Sequence, residues 1–248
     1  MTVPEHVFAL TFPIRTGHVD WEKKLSIPGL FLCLQEIAWE HADIWGFGYK
    51  QLNEKGQFWV LSKLKVQINQ YPQWLDELHL HTWSKEPETF TAYRDFIGYN
   101  QHGVQMFKAT SSWHILSMTT GRLQRVDELR QIFPVPENLH AIEDKPGKLS
   151  APENEVKGDR LKVTLSDIDM NLHVNNARYI QWVLDSFPYD FAQSHKIVEI
   201  EVNFLQQAKL GDEYYIVIQN LGNGIYLSAV LRAEDNKPLV HIRTAWEK

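Results

Sequence analysis

The chain repeats its own pattern. Lys63-Leu64-Lys65-Val66-Gln67-Ile68-Asn69 alternates polar and apolar residues, as a strand with one buried face does. Glu199-Ile200-Glu201-Val202-Asn203-Phe204 does the same 136 positions later. Asp76-Glu77 matches Asp212-Glu213 at that offset, and each pair leads into a further strand, Leu78 to Trp83 and Tyr214 to Ile218. A polar hairpin turn then follows in both halves, Asn100-Gln101-His102-Gly103 and Glu234-Asp235-Asn236-Lys237. Each half closes on a strand, one holding Trp113 and the other Trp246.

Each half also opens with a helix. Leu30, Leu34, Ile37 and Ala38 make one apolar face at helical spacing, and Ala177, Ile180, Val183, Leu184 and Phe187 make the other. Pro28 stands near the first helix start and Pro188 past the second helix end. Between the halves, Phe133 to Lys157 carries Pro134, Pro136, Pro146 and Pro152 without sustained periodicity and reads as a linker. One helix and a run of antiparallel strands, given twice, is an α+β plan. A long helix wrapped by a curved antiparallel sheet would bury the helix face, which is the hotdog architecture, here in tandem. The expected division is 1–133, a linker at 134–157, and 158–248. Two unrelated α+β domains, or one mixed sheet, would share much of this pattern.

Charge limits the partners. The formal net charge is −6, which argues against general nucleic-acid binding, where Lys and Arg neutralise phosphates. No apolar run reaches the roughly 18 residues of a membrane span, and Met1 to Pro13 lacks the pattern of a signal peptide. The single Cys33 cannot form an internal disulfide and sits in an apolar helical run, so it reads as a core residue in a reducing, cytoplasmic setting. Nine Trp fit a packed β core and a deep apolar pocket equally well.

Chemistry is concentrated in Ser166-Asp167-Ile168-Asp169-Met170-Asn171-Leu172-His173-Val174-Asn175-Asn176. Asp169, Asn171 and His173 alternate, so in an extended segment they would project to one face. A carboxylate, an amide and an imidazole can together orient a water and accept its proton. The second helix begins immediately after them, and its N-terminal N–H groups near Asn175 and Asn176 suit an oxyanion. Asp and Asn ahead of a helix are also ordinary caps, and Asp167 reads as a cap or turn residue. The matching stretch in the first half, Asp20 to Pro28, has no Asn or His. The histidines show no metal-ligand spacing; His79 and His81 alternate with Leu78 and Leu80 and are expected to face solvent. Gly222-Asn223-Gly224 reads as a hairpin turn, and no Gly-x-Ser-x-Gly elbow is present.

The segment Asp167 to Ile180 closely resembles the Asp-x-Asn-x-His-Val-Asn-Asn stretch of plant and bacterial acyl-ACP thioesterases. Trp59-Val60-Leu61-Ser62 looks like that family's strand entry in the first half, and His41-Ala42-Asp43 with Gly46-Phe47-Gly48 like its first helix end. The resemblance covers nearly the whole chain. It implies a tandem hotdog, an acyl chain held in the N-terminal half near Trp59 to Ile68, and hydrolysis of a fatty acyl thioester on acyl carrier protein, with no cofactor and no metal. Its catalytic network would be Asp169, Asn171 and His173. The family also uses a Glu after the second helix, and Gln207 stands there, which can bind a water but not take its proton. Beside it, where some plant members have Cys, is Ala208. Because the carrier is acidic, the basic Arg160, Lys162 and Arg178 near the motif are candidates to meet it. A homodimer is left open, as are an acyl-CoA thioesterase, a non-catalytic acyl-binding module and a hotdog dehydratase.

Overall fold

The computed structural model describes residues 6–153 and 157–248. Residues 1–5 of the stretch read as lacking a signal peptide, and residues 154–156 of the linker, lie outside the described residues. The chain divides into two compact units, the boundary falling between Pro146 and Gly147.

The N-terminal unit holds strand β1 (Phe8–Pro13), helix α1 (Ile27–Ile44), a short helix α2 (Tyr49–Glu54), and strands β2 (Gln57–Ile68), β3 (Glu77–Lys85), β4 (Ala92–Tyr99), β5 (Gln105–Ser117) and β6 (Leu123–Gln124). The C-terminal unit holds β7 (Leu161–Lys162), α3 (Asn176–Asp185), α4 (Tyr189–Ser194), β8 (Lys196–Phe204), β9 (Glu213–Gly222), β10 (Ile225–Arg232) and β11 (Pro238–Glu247). The first sheet runs β1-β3-β4-β5-β2, antiparallel throughout, with β6 on β5. The second runs β7-β9-β10-β11-β8, again antiparallel. β7, β8, β9, β10 and β11 therefore pair as β1, β2, β3, β4 and β5 do, and the duplication read from the sequence is a duplication of topology. Each unit is a hotdog.

Helix α1 starts where its sequence says it should. Ser26 Oγ accepts the Gly29 N–H at 3.1 Å, and Pro28 lies in the first turn, where its missing N–H costs nothing. Gly29 is required there, because a Cβ would stand 2.5 Å from the His18 carbonyl oxygen. The helix buries Leu30, Leu34, Ile37 and Ala38 together with Phe31 and Cys33. Each large apolar side chain among them contributes roughly 1.5–3 kcal/mol of burial. Burial pushes the Cys33 thiol up to about 12, so it is an inert core residue.

Three expectations need correction. Helix α3 stops at Asp185, so Phe187 packs from beyond its end, against Phe191, Tyr226 and Trp246. Tyr179 and Trp182 join the buried helix face instead. Of His79 and His81, both expected to face solvent, His81 is buried and His79 is only half-buried. β1 covers that edge of β3, His79 Nδ1 lies 2.9 Å from Thr11 Oγ1, and His81 is buried beside the Tyr99 ring. Third, the polar side of β8 is covered at its C-terminal end. Glu201 and Asn203 are buried because they accept the N–H groups of Gly147 and Leu149 at 2.7 and 2.8 Å. No helix among the described residues is long and apolar enough to cross a membrane.

Candidate active site

The motif does not run extended. Ile168 and Val174 form an isolated antiparallel bridge, and the chain between them closes into a turn. The Asp169 N–H donates to the His173 carbonyl at 2.8 Å, and the Leu172 N–H to the Asp169 carbonyl at 3.0 Å. Leu172 carries a φ of +63°. Asp169 Oδ1 accepts the N–H of Asn171 at 2.8 Å and that of His173 at 3.4 Å. A short carboxylate that binds the backbone two residues on mimics a peptide turn, and it overrides the alternation on which a single polar face would depend. Asp169, Asn171 and His173 thus share one closed turn. Asp169 shapes it from within, Asn171 is exposed, and His173 is half-buried at the exit. His173 Nδ1 is buried and takes no hydrogen bond among the described residues.

The flanks fix this turn. Asp167 is the cap that its position suggests: its Oδ2 accepts Thr164 N–H at 2.8 Å and Thr164 Oγ1–H at 2.7 Å. The Asp167 carbonyl accepts the Asn175 N–H at 2.9 Å. Asn175 is the N-cap of α3, its Oδ1 accepting Ala177 N–H at 2.9 Å, and Asn176 is the first helical residue.

A second stretch is laced to the first. The Val174 N–H donates to the Ala208 carbonyl at 3.1 Å, and the Ala208 N–H donates to Tyr179 Oη at 2.8 Å. Ala208 is fully buried, whereas its neighbour Gln207 is exposed, its carbonyl accepting from Arg232 at 3.1 Å. Gln207 is therefore carried beside the motif by backbone bonds on its neighbour. Burial raises the Tyr179 phenol to about 12, so it remains an uncharged hydroxyl there. Sequence reading missed Tyr179. Its one signal was a phenol on an otherwise apolar helix face, where a buried hydroxyl needs a partner.

The N-terminal unit builds the same turn without the chemistry. Asp20 Oδ1 accepts Glu22 N–H and Lys24 N–H at 2.9 and 3.1 Å, Asp20 N–H donates to the Lys24 carbonyl at 2.9 Å, and Lys23 has a φ of +62°. The Leu25 N–H donates to the Pro72 carbonyl at 2.8 Å, as Val174 does to Ala208. Glu22, Lys24 and Tyr71 hence occupy the places of Asn171, His173 and Gln207.

The profile of the acyl-ACP thioesterase N-terminal domain matches residues 5–133, and that of the C-terminal domain matches residues 150–248. The chain belongs to the acyl-ACP thioesterase family. It is 29% identical to the chloroplastic palmitoyl-acyl carrier protein thioesterase of Cuphea hookeriana, over 97% of this chain and 62% of that protein. It is 30% identical to the chloroplastic oleoyl-acyl carrier protein thioesterase 2 of Arabidopsis thaliana, over 81% of this chain and 59% of that one. The chain thus spans about three-fifths of the length of these curated relatives. Among solved structures, an acyl-ACP thioesterase from Bacteroides thetaiotaomicron superposes with a TM-score of 0.90 at 24% identity, covering 98% of both chains. The 12:0-ACP thioesterase of Umbellularia californica does so with a TM-score of 0.86 at 23% identity, covering 100% of this chain and 99% of that one. At these identities the two structures speak for the fold, and they agree with the tandem hotdog.

Within this family member, the basic residues near the motif differ in their commitments. Arg160 pairs with Glu213. Lys162 in β7 and Arg178 in α3 are exposed and pair with no carboxylate among the described residues.

Proposed function

We propose that this chain hydrolyses the thioester of a fatty acyl-ACP, releasing free fatty acid and the carrier thiol. The observation that carries the reading is His173: a half-buried imidazole with an uncommitted Nδ1, on a turn whose backbone is held by Asp169, in a chain matched to this family over both halves. His173 takes a proton from a water, and the resulting hydroxide attacks the thioester carbonyl. The tetrahedral oxyanion then collapses, the C–S bond breaks, and imidazolium returns the proton to the departing sulfur. Asn171 binds the carbonyl or the attacking water. Gln207 orients that water by hydrogen bonding without accepting its proton. Asp169 acts through the turn it shapes. The N-terminal end of α3, which opens at Asn175 and Asn176, favours the oxyanion through its dipole, since Asn175's own N–H is spent on Asp167. In this reading the N-terminal hotdog, residues 1–133, holds the acyl chain. The relatives are named for palmitoyl, oleoyl and 12:0 chains, so their names do not transfer a chain length.

The test is thiol release across an acyl-ACP length series, with acyl-CoA of the same chains alongside. His173→Ala should lower kcat by about 10²–10⁴-fold and keep a cooperative melt. Near-normal turnover in that variant rejects the assignment. Faster release from acyl-CoA than from acyl-ACP would move the substrate to coenzyme A. Tight acyl binding without thiol release in the wild type would make the chain a binding module.

A further inference from the structure

The three most exposed large apolar side chains among the described residues are Leu165 at 77%, Leu172 at 77% and Met170 at 74%, and all lie within eight positions before His173. Exposed apolar residues scattered singly need no explanation, but a cluster at a reactive turn does. Leu172 adds a second argument. Its φ of +63° lies in the left-handed region, which costs a residue with a Cβ about 1–2 kcal/mol. Gly or Asn would avoid most of that cost, and an exposed leucine recovers nothing by burial. At the equivalent places the N-terminal unit has Thr16 and Lys23, with only Trp21 apolar, so the turn itself does not require leucine.

The stretch from Leu205 to Asp212 runs alongside. Val163 N–H donates to the Asp212 carbonyl at 2.8 Å and Gly211 N–H to the Val163 carbonyl at 3.2 Å, which brings exposed Leu210 and Lys209 next to the motif segment. By formal charge this region is balanced, but its charges differ in reach. Asp167, Asp169 and Asp212 are drawn in against backbone N–H groups, and Glu213 is taken by Arg160. Lys162, Arg178 and Lys209 are exposed on long stems with no carboxylate partner among the described residues.

We infer that Leu165, Met170, Leu172 and Leu210, together with Lys162, Arg178 and Lys209, form the docking surface for the acidic carrier protein. Exposed apolar side chains accompanied by unpaired cations suit an acidic protein partner, and attachment beside the motif would let that partner deliver its thioester arm to His173. This inference rests on the thioesterase reading and deepens it.

The test pairs kinetics with direct binding of fluorescently labelled holo-carrier protein, so that the two ideas fail separately. The variants are Leu165→Ser, Lys162→Glu with Lys209→Glu, and Leu172→Asn. Each should raise KM for acyl-ACP and Kd for the carrier ten-fold or more, and leave kcat/KM on acyl-CoA of the same chain within two-fold. Leu172→Asn should also raise Tm, a combination that a purely structural leucine would not give. Unchanged carrier affinity in all three variants overturns the surface and leaves the hydrolase reading standing. Equal loss on acyl-ACP and acyl-CoA overturns it too, because the residues would then support the reaction and not the carrier. Sedimentation of the wild type with vesicles containing phosphatidylglycerol, abolished by Leu165→Ser while carrier affinity is kept, would reassign the patch to a lipid surface. Carrier binding that falls in the variants while wild type releases no thiol would sink the hydrolase and keep the surface.

Discussion

Asp20 and Asp169 hold the same turn in the two units, each accepting the N–H groups two and four residues ahead. One turn carries Asn171 and His173, the other Glu22 and Lys24. A carboxylate that does the same work in both places is acting on the backbone. Replacing either Asp by Ala should therefore cost about 0.5–2 kcal/mol, the usual worth of such a cap, read by urea unfolding. Only Asp169→Ala should also lower kcat. Asp169→Asn, whose Oδ1 can still accept both amides, should keep more activity than Asp169→Ala; equal loss in the two would point to a role for the negative charge itself.

Tyr179 Oη accepts the Ala208 N–H, and Ala208 carries Gln207. Tyr179→Phe leaves a buried N–H unpaired, which costs about 1–3 kcal/mol. Because Gln207 is displaced with it, kcat on acyl-ACP should fall in Tyr179→Phe, by no more than it does in Gln207→Ala. If Tyr179→Phe destabilises the protein but leaves kcat unchanged, the Gln207 side chain does not depend on this anchor, or does not serve the reaction.

The repeated plan was legible because the strand alternation recurs at one offset and an apolar helix face precedes the strands in each half, and strand pairing followed the repeat. The turn at Asp169 was not legible, since alternation predicts an extended chain and no residue type announced the left-handed Leu172. Asp167 was recognisable as a cap because capping is local. His81 was misread because its burial is tertiary: it packs beside the Tyr99 ring of β4, which its own alternation does not reveal. Glu201 and Asn203 occupy the polar side of an alternating strand, the pattern of a solvent face. Only the path of the linker makes that face a covered one.

The N-terminal unit uses a buried pair to hold its part of the linker. Lys85 Nζ lies 3.3 Å from Asp95 Oδ2 and donates to the Ile142 carbonyl at 2.8 Å, while Asp95 Oδ2 accepts Ala141 N–H at 2.8 Å. Burial pushes the Asp95 carboxyl above its usual range, against the pull of Lys85. Removing one partner leaves the other charge buried alone, so Lys85→Met should destabilise by roughly 3–5 kcal/mol. The double replacement Lys85→Met with Asp95→Leu should recover much of that loss. Urea titrations of both, with limited proteolysis between residues 139 and 146, would read it; equal destabilisation in single and double variants would show that the linker contacts, not the charges, carry the energy.

His41 makes stability depend on pH. Trp45 Nε1–H donates to its Nε2 at 2.9 Å, the Arg94 guanidinium lies 2.7 Å from its Nδ1, and Phe8 stacks on the ring at 5.2 Å between centroids. Burial first, and the Arg94 charge second, lower its pKa to about 3. In the unfolded chain it titrates near 6.5. Between these values the unfolded state binds a proton that the folded state refuses, so stability is full above about pH 6.5 and falls as pH drops toward 3. From pH 7 to pH 5 the loss from this one group is roughly 2 kcal/mol. His41→Gln removes the titration, so its unfolding free energy should drop by about that much less than the wild type's across the same interval, whatever its absolute stability. Parallel slopes would mean that His41 takes up its proton as readily in the folded state as in the unfolded one.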